Sequence, residues 1–156
     1  MSNLKSFYLA IDLATRQRDV LAKALGVAQK NKAAAQEQLG QLEGYAQETD
    51  SRWVGSVTSL GLSTELIRHH YQFMDRLQHA IGMQSSSINN LDWHLDRAQK
   101  ALLQAEFRLS GLNQVLKKRL AEAEQVQRRR EQRQMDEFAA IQYSRTHTVP
   151  LGGEST

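Results

Sequence analysis

The chain has 156 residues, a net charge of +3, one proline, no cysteine and only 6% aromatic residues. The missing thiols exclude disulfides, thiol catalysis and thiolate metal sites, and so few aromatics cannot fill a large core of ordinary composition. The single proline is Pro150, so nothing interrupts a helix before the last residues, and the Ala, Leu, Gln, Glu, Arg and Lys background is that of a long helix or coiled coil.

The first element is expected over residues 4–54. Its stripe runs through Leu4, Phe7, Ile11, Ala14, Arg18, Leu21, Leu25 and Ala28. It continues through Lys32, Ala35, Leu39, Leu42, Ala46, Thr49 and Trp53, alternating steps of three and four, and twelve of these fifteen positions are apolar. A seven-residue repeat keeps one narrow face toward a partner helix, at heptad positions a and d. Gly26, Gly40 and Gly44 each weaken this helix by roughly 0.5–1 kcal/mol relative to Ala. Residues 55–63 hold Gly55, Ser56, Ser59 and Gly61 and read as the connection.

Ser63 or Thr64 is the candidate N-cap of the second element, with Glu65 well placed in its first turn. That helix is expected over residues 64–143. Its stripe begins at Ile67, His70, Met74, Leu77, Ile81 and Gln84 and runs on through Ile88, Leu95, Leu102 and Leu109 to Val126. Fifteen of its eighteen positions are apolar. Residues 144–156, with Pro150, Gly152 and Gly153, read as a disordered tail.

A helix with such a seam needs a partner, and the nearest is the other helix of the same chain. A short connection folds the two back antiparallel. The expected fold class is therefore all-α: a two-helix antiparallel coiled-coil hairpin over residues 1–143, with the longer second helix projecting past the first. If the fold-back is symmetric about the loop, Trp53 faces Ile67, Leu39 faces Ile81, Leu25 faces Leu95 and Ile11 faces Leu109. Arg18 and Lys32 sit in the seam, where polar residues fix register at some cost in stability. The first helix runs out opposite Leu116, leaving the second unpaired for roughly 40 Å. The charge excess lies there too: residues 117–145 carry eight basic and five acidic side chains.

His69, His70, His79 and His94 have no His-x-x-x-His spacing, and Glu65/His69 and Asp75/His79 are simple i,i+4 pairs, so no metal or cofactor site is expected. A two-helix fold builds no concave pocket, and no phosphate loop or nucleophile elbow is present, so no enzyme is expected. No run of about eighteen apolar residues exists, so no direct membrane insertion is expected. Residues 1–10 show no signal peptide. Lys117, Lys118, Arg119, Arg128, Arg129 and Arg130 suit nucleic acid, but Glu122, Glu124 and Glu131 interrupt them and no aromatic lies among them to stack on bases. A basic coiled-coil scaffold or nucleic-acid-binding protein is the alternative reading, although no nucleic acid is expected.

Trp93 and Phe107 both fall at the outward f position, where exposed aromatics are contact points or merely scattered surface apolars. Phe73 and Ala80 lie at g positions beside Leu77 and Gln84. They make a stripe that is either extra packing or a contact surface. Met135 and Phe138 lie one turn apart beyond the Arg128 to Arg133 cluster.

Met135-Asp136-Glu137-Phe138-Ala139, preceded by Arg133-Gln134, closely resembles the C-terminal signature of the FliJ family, small coiled-coil proteins of the flagellar type III export apparatus. Tyr71-Gln72-Phe73-x-x-x-Leu77-x-x-Ala80-Ile81 resembles that family's segment after the interhelical loop. Residues 4–25 and Leu39-x-x-Leu42-x-x-Tyr45 resemble its first helix. The resemblance implies a stalk whose terminal end, with Arg128, Arg129, Arg130, Arg133, Met135 and Phe138, enters the hexameric export ATPase FliI and stimulates it. It also implies contact with the export-gate membrane protein FlhA through Phe73, Leu77, Ala80 and Gln84, the last often His in the family. Escort of export chaperones and a cytoplasmic place, peripheral to the inner-membrane export apparatus, are implied with these.

Overall fold

The computed structural model describes residues 2–59 and 63–147, with side chains for 4–57 and 63–147. Two helices account for it: α1, Ser2–Ser59, and α2, Thr64–His147. α1 runs five residues past its expected end. Gly55 and Ser56 read as breakers, yet Ser56 Oγ donates to the Arg52 carbonyl one turn back (2.9 Å) and stays in the helix. The described glycines all keep negative φ, so none bends the chain. α2 opens on Ser63, whose Oγ accepts from the Leu66 N–H (3.4 Å), while its carbonyl accepts from the Ile67 N–H (3.3 Å). Ser63 is thus the N-cap, with Glu65 in the first turn. α2 continues to His147, past the expected end at 143. The rest of the expected tail, like residues 60–62, lies outside the described residues.

The chain divides into two compact units, Asp12–Leu109 and Met1–Ile11 with Ser110–Thr156. Within the first, α1 and α2 pack as an antiparallel hairpin. Partners descend on one helix as they ascend on the other: Lys32 with Asp92, Ala35 with Gln84, Tyr45 with Phe73, Trp53 with His70. The deeply buried positions here are Ala14, Ala35 and Ala46 on α1 and Leu77, Ile88 and Leu109 on α2. Their spacings mirror one another along the two helices, small residue against large, as a single antiparallel register requires.

That register is centred between residues 61 and 62, midway between the end of α1 and the start of α2. A loop at 55–63 centres it lower, which explains why Trp53 meets His70 and not Ile67. The rings stack 3.9 Å apart and nearly parallel, at 2°, while Ile67 stays exposed. Of the two seam cations, Lys32 crosses to Asp92 (2.5 Å) and pins the register. Arg18 turns back to Asp19 on its own helix (2.8 Å).

All fifteen seam positions expected on α1 are buried or half-buried, and so is every one expected on α2 from His70 to Leu116. In the second unit, the start of α1 lies against α2. A shallow groove there is lined by Ser6, Phe7, Ala10, Leu112 and Arg119. The Arg119 guanidinium sits 4.6 Å above the Phe7 ring and closes the pairing. From Leu120 to His147 every side chain is exposed.

Candidate partner-binding surfaces

The free length of α2 has the backbone of an isolated helix and must be held by its own side chains. Arg128 pairs with Glu124 (2.8 Å), and the Gln127 amide donates to Glu131 (3.2 Å) and that of Gln132 to Asp136 (3.3 Å), all at i,i+4. Such contacts support a helix by a few tenths of a kcal/mol each. Arg129, Arg130 and Arg133 make no ion pair among the described residues and present their guanidinium groups to solvent. Met135 and Phe138 are 70% and 63% exposed, with Ile141 and Tyr143 open beyond them. Met135, Phe138 and Ile141 follow one another at i,i+3 steps, and none of the described residues covers them, so they form an apolar surface open to another molecule. Ile141 was not read as a site residue; its i,i+3 step from Phe138 was the available signal.

The stripe on the hairpin divides in two. Leu77 is only 8% exposed and belongs to the seam. Gln84 is committed to α1: its amide donates to the Ala35 carbonyl (2.9 Å) and to Gln38 Oε1 (3.2 Å). Phe73, at 40% exposure, stands at the rim with its ring edge-on to Tyr45, centroids 6.0 Å apart and planes at 78°. Ala80 is half-buried between them along the helix. Phe73 and the open edge of Ala80 are therefore what this stripe offers a partner, and Leu77 and Gln84 act from beneath by holding the two helices in register. Tyr45 completes the surface. Its g position, facing the g position of Phe73, was the sign that it would.

Trp93 and Phe107 both face outward. Arg97 covers part of Trp93 at 4.6 Å, with His94 edge-on at 5.1 Å, whereas Phe107 is 81% exposed. Of the histidines, His70 is taken up by Trp53, and His69 and His79 are on the solvent face. Among the described residues no three His, Cys, Asp or Glu side chains gather as a metal site. No helix among them is long and apolar enough to cross a membrane.

A family model described as "Flagellar FliJ protein" matches residues 4–148, which is nearly the whole chain and includes both helices. No curated protein matches, and no solved structure matches.

Proposed function

This chain belongs to the FliJ family of flagellar proteins, and on that premise we propose that it is the coiled-coil stalk of the flagellar export apparatus. Membership makes it a coiled-coil protein related to flagellar export. In the finer reading, the free length of α2 seats in the hexameric export ATPase FliI and stimulates it. The Phe73 side of the hairpin meets the export gate FlhA, and export chaperones are escorted on the same molecule. The protein supplies no catalytic group; it acts by binding, from a position peripheral to the inner membrane.

The observation that carries this reading is the wholly exposed helix from Leu120 to His147. Its unpaired arginines lie close to an apolar turn at Met135 and Phe138. Cationic side chains at a rim speed encounter, and a desolvated apolar anchor slows departure. The ATPase is therefore expected to read the two features separately. Charge reversal at Arg129 and Arg133 lowers the association rate and flattens its salt dependence. Phe138→Ala raises the dissociation rate. Surface-coupled ATPase, binding kinetics at two salt concentrations and a DNA duplex as control test this. Unchanged rates for both variants, or tighter binding to the duplex than to the ATPase, would overturn the reading.

A further inference from the structure

Around each helix of the unit Asp12–Leu109, positions e and b lie on one side of the a/d seam and g and c on the other, with f at the back. The structure shows the two sides apart. Tyr45 and Phe73, both at g, touch on one side, where Gln84 also reaches Gln38 at g. On the other, Glu43, Asp50 and Gln78 at e line a groove with Gln47 at b.

Charge is divided between these sides. Over residues 12–47, Asp12, Asp19 and Glu43 lie at b or e and Glu37 at f. Over residues 66–109, Asp75, Asp92, Asp96 and Glu106 all lie at b or e. No aspartate or glutamate of these two stretches occupies g or c, whereas Arg76, Arg97 and Arg108 all do; Glu48, at c just past the first stretch, is paired with Arg52 (2.7 Å) and lies three heptads from Val27. None of the three makes an ion pair among the described residues; Arg97 rests on Trp93 instead.

The same side carries a second apolar line that the hairpin does not use. Leu13, Val20, Val27 and Ala34 occupy four successive c positions of α1, seven residues apart. All four are exposed, Val20 by 67%, and a shallow trough there is lined by Arg16, Gln17, Val20 and Leu21. In the register set by Lys32–Asp92 and Ala35–Gln84, this line runs beside Arg97, Ala101 and Arg108 of α2. A stripe of three heptads, bordered by cations and free of acids, has the form of half a coiled-coil interface.

We propose that this strip, from Leu13 to Val27 on α1 and from Arg97 to Arg108 on α2, docks one amphipathic helix of a partner protein. The partner's apolar stripe covers Leu13, Val20 and Val27, and aspartates or glutamates flanking that stripe meet Arg97 and Arg108. The complement is fixed by charge: a helix with basic flanks meets cations and no acid. This inference does not rest on the ATPase or gate readings, whose residues lie elsewhere.

The test uses the full chain and two labelled synthetic helices with the same leucine heptads, one flanked by glutamate and one by lysine, followed by fluorescence anisotropy. The glutamate peptide should bind and the lysine peptide should not. Val20→Asp with Val27→Asp should weaken binding about tenfold or more, as loss of central apolar contacts does. Arg97→Glu with Arg108→Glu should do the same and flatten the salt dependence. Gln29→Asp with Asn89→Asp, on the e/b side, should change nothing, and binding to FliI should be unaffected throughout. A Val20→Ser variant serves if the aspartates alter the melt. Equal binding of both peptides, or equal loss from the e/b variants, overturns the proposal. So does displacement by DNA or anionic vesicles with no response to Val20→Asp, or a dimer in sedimentation that Val20→Asp dissolves.

Discussion

Replacing Phe73 with alanine separates a docking contact from a packing contact. A wholly buried Phe→Ala costs about 3–5 kcal/mol. Phe73 keeps 40% of its surface in solvent, so scaling by the covered part leaves about 2–3 kcal/mol. Of that, the edge-to-face pair with Tyr45 accounts for about 0.5–1.5 kcal/mol. At about 2–4 °C per kcal/mol for a chain of this size, Phe73→Ala should lower Tm by roughly 4–12 °C without changing helicity in the cold. Tyr45→Ala removes the same ring pair but leaves Phe73 in place, so it is the matched control. Circular dichroism melts of both variants and of the double variant measure the coupling, and binding of each to the gate's cytosolic domain below the melt measures docking. Phe73→Ala should weaken gate binding about tenfold or more, as loss of an aromatic anchor does, and Tyr45→Ala far less. Equal losses of binding that track the Tm of each variant would refute the argument, because Phe73 would then act only by holding the hairpin.

Truncation after Leu120 removes no seam contact, so the melt should stay within about 0.5 kcal/mol of wild type while ATPase stimulation disappears; retained stimulation would move the docking element elsewhere. A β-carbon added at Gly26, Gly40 or Gly44 meets nothing within 4 Å. The three Gly→Ala changes should therefore each stabilise by about 0.5–1 kcal/mol and add, which a rising Tm checks and a falling one contradicts. Carbodiimide should join Lys32 to Asp92 within one chain, and a peptide map showing only intermolecular products would disprove the antiparallel register. Ser63→Ala should cost about 1 kcal/mol through loss of the N-cap, measured by denaturant titration.

The seam was legible because the heptad repeat is a direct image of burial. Every expected α1 position is at least half-covered, down to Arg18 and Lys32. Pairing the two stripes also placed the end of coverage: Leu116 is the last covered seam position, where the first helix was expected to run out. Ala123 and Val126 keep the spacing but are exposed, so spacing alone does not report burial there. The loop was misplaced for a local reason: Gly55 and Ser56 are poor helix residues in isolation, and the Ser56 bond to Arg52 depends on the helix already being there. One missed turn at the end of α1 then shifted the expected partner of Trp53. The roles of Gln84 and Phe73 were out of reach for another reason. Residues in one sequence stripe look alike, and only the facing helix decides that Gln84 bonds to Ala35 while Phe73 is left at the rim.

Among the described residues no side chain is wholly shut away from solvent, and three of the six most buried are alanines. An interior one layer deep has no centre whose loss brings down the rest, so opening proceeds layer by layer like a zip. Hydrogen exchange in such a chain is governed by local fluctuation, and its backbone is within reach of proteases wherever a few layers part. A partner that covers the outer faces changes this arithmetic, since each binding event adds its own free energy to the closed state. Bound copies should therefore resist limited proteolysis longer than free ones.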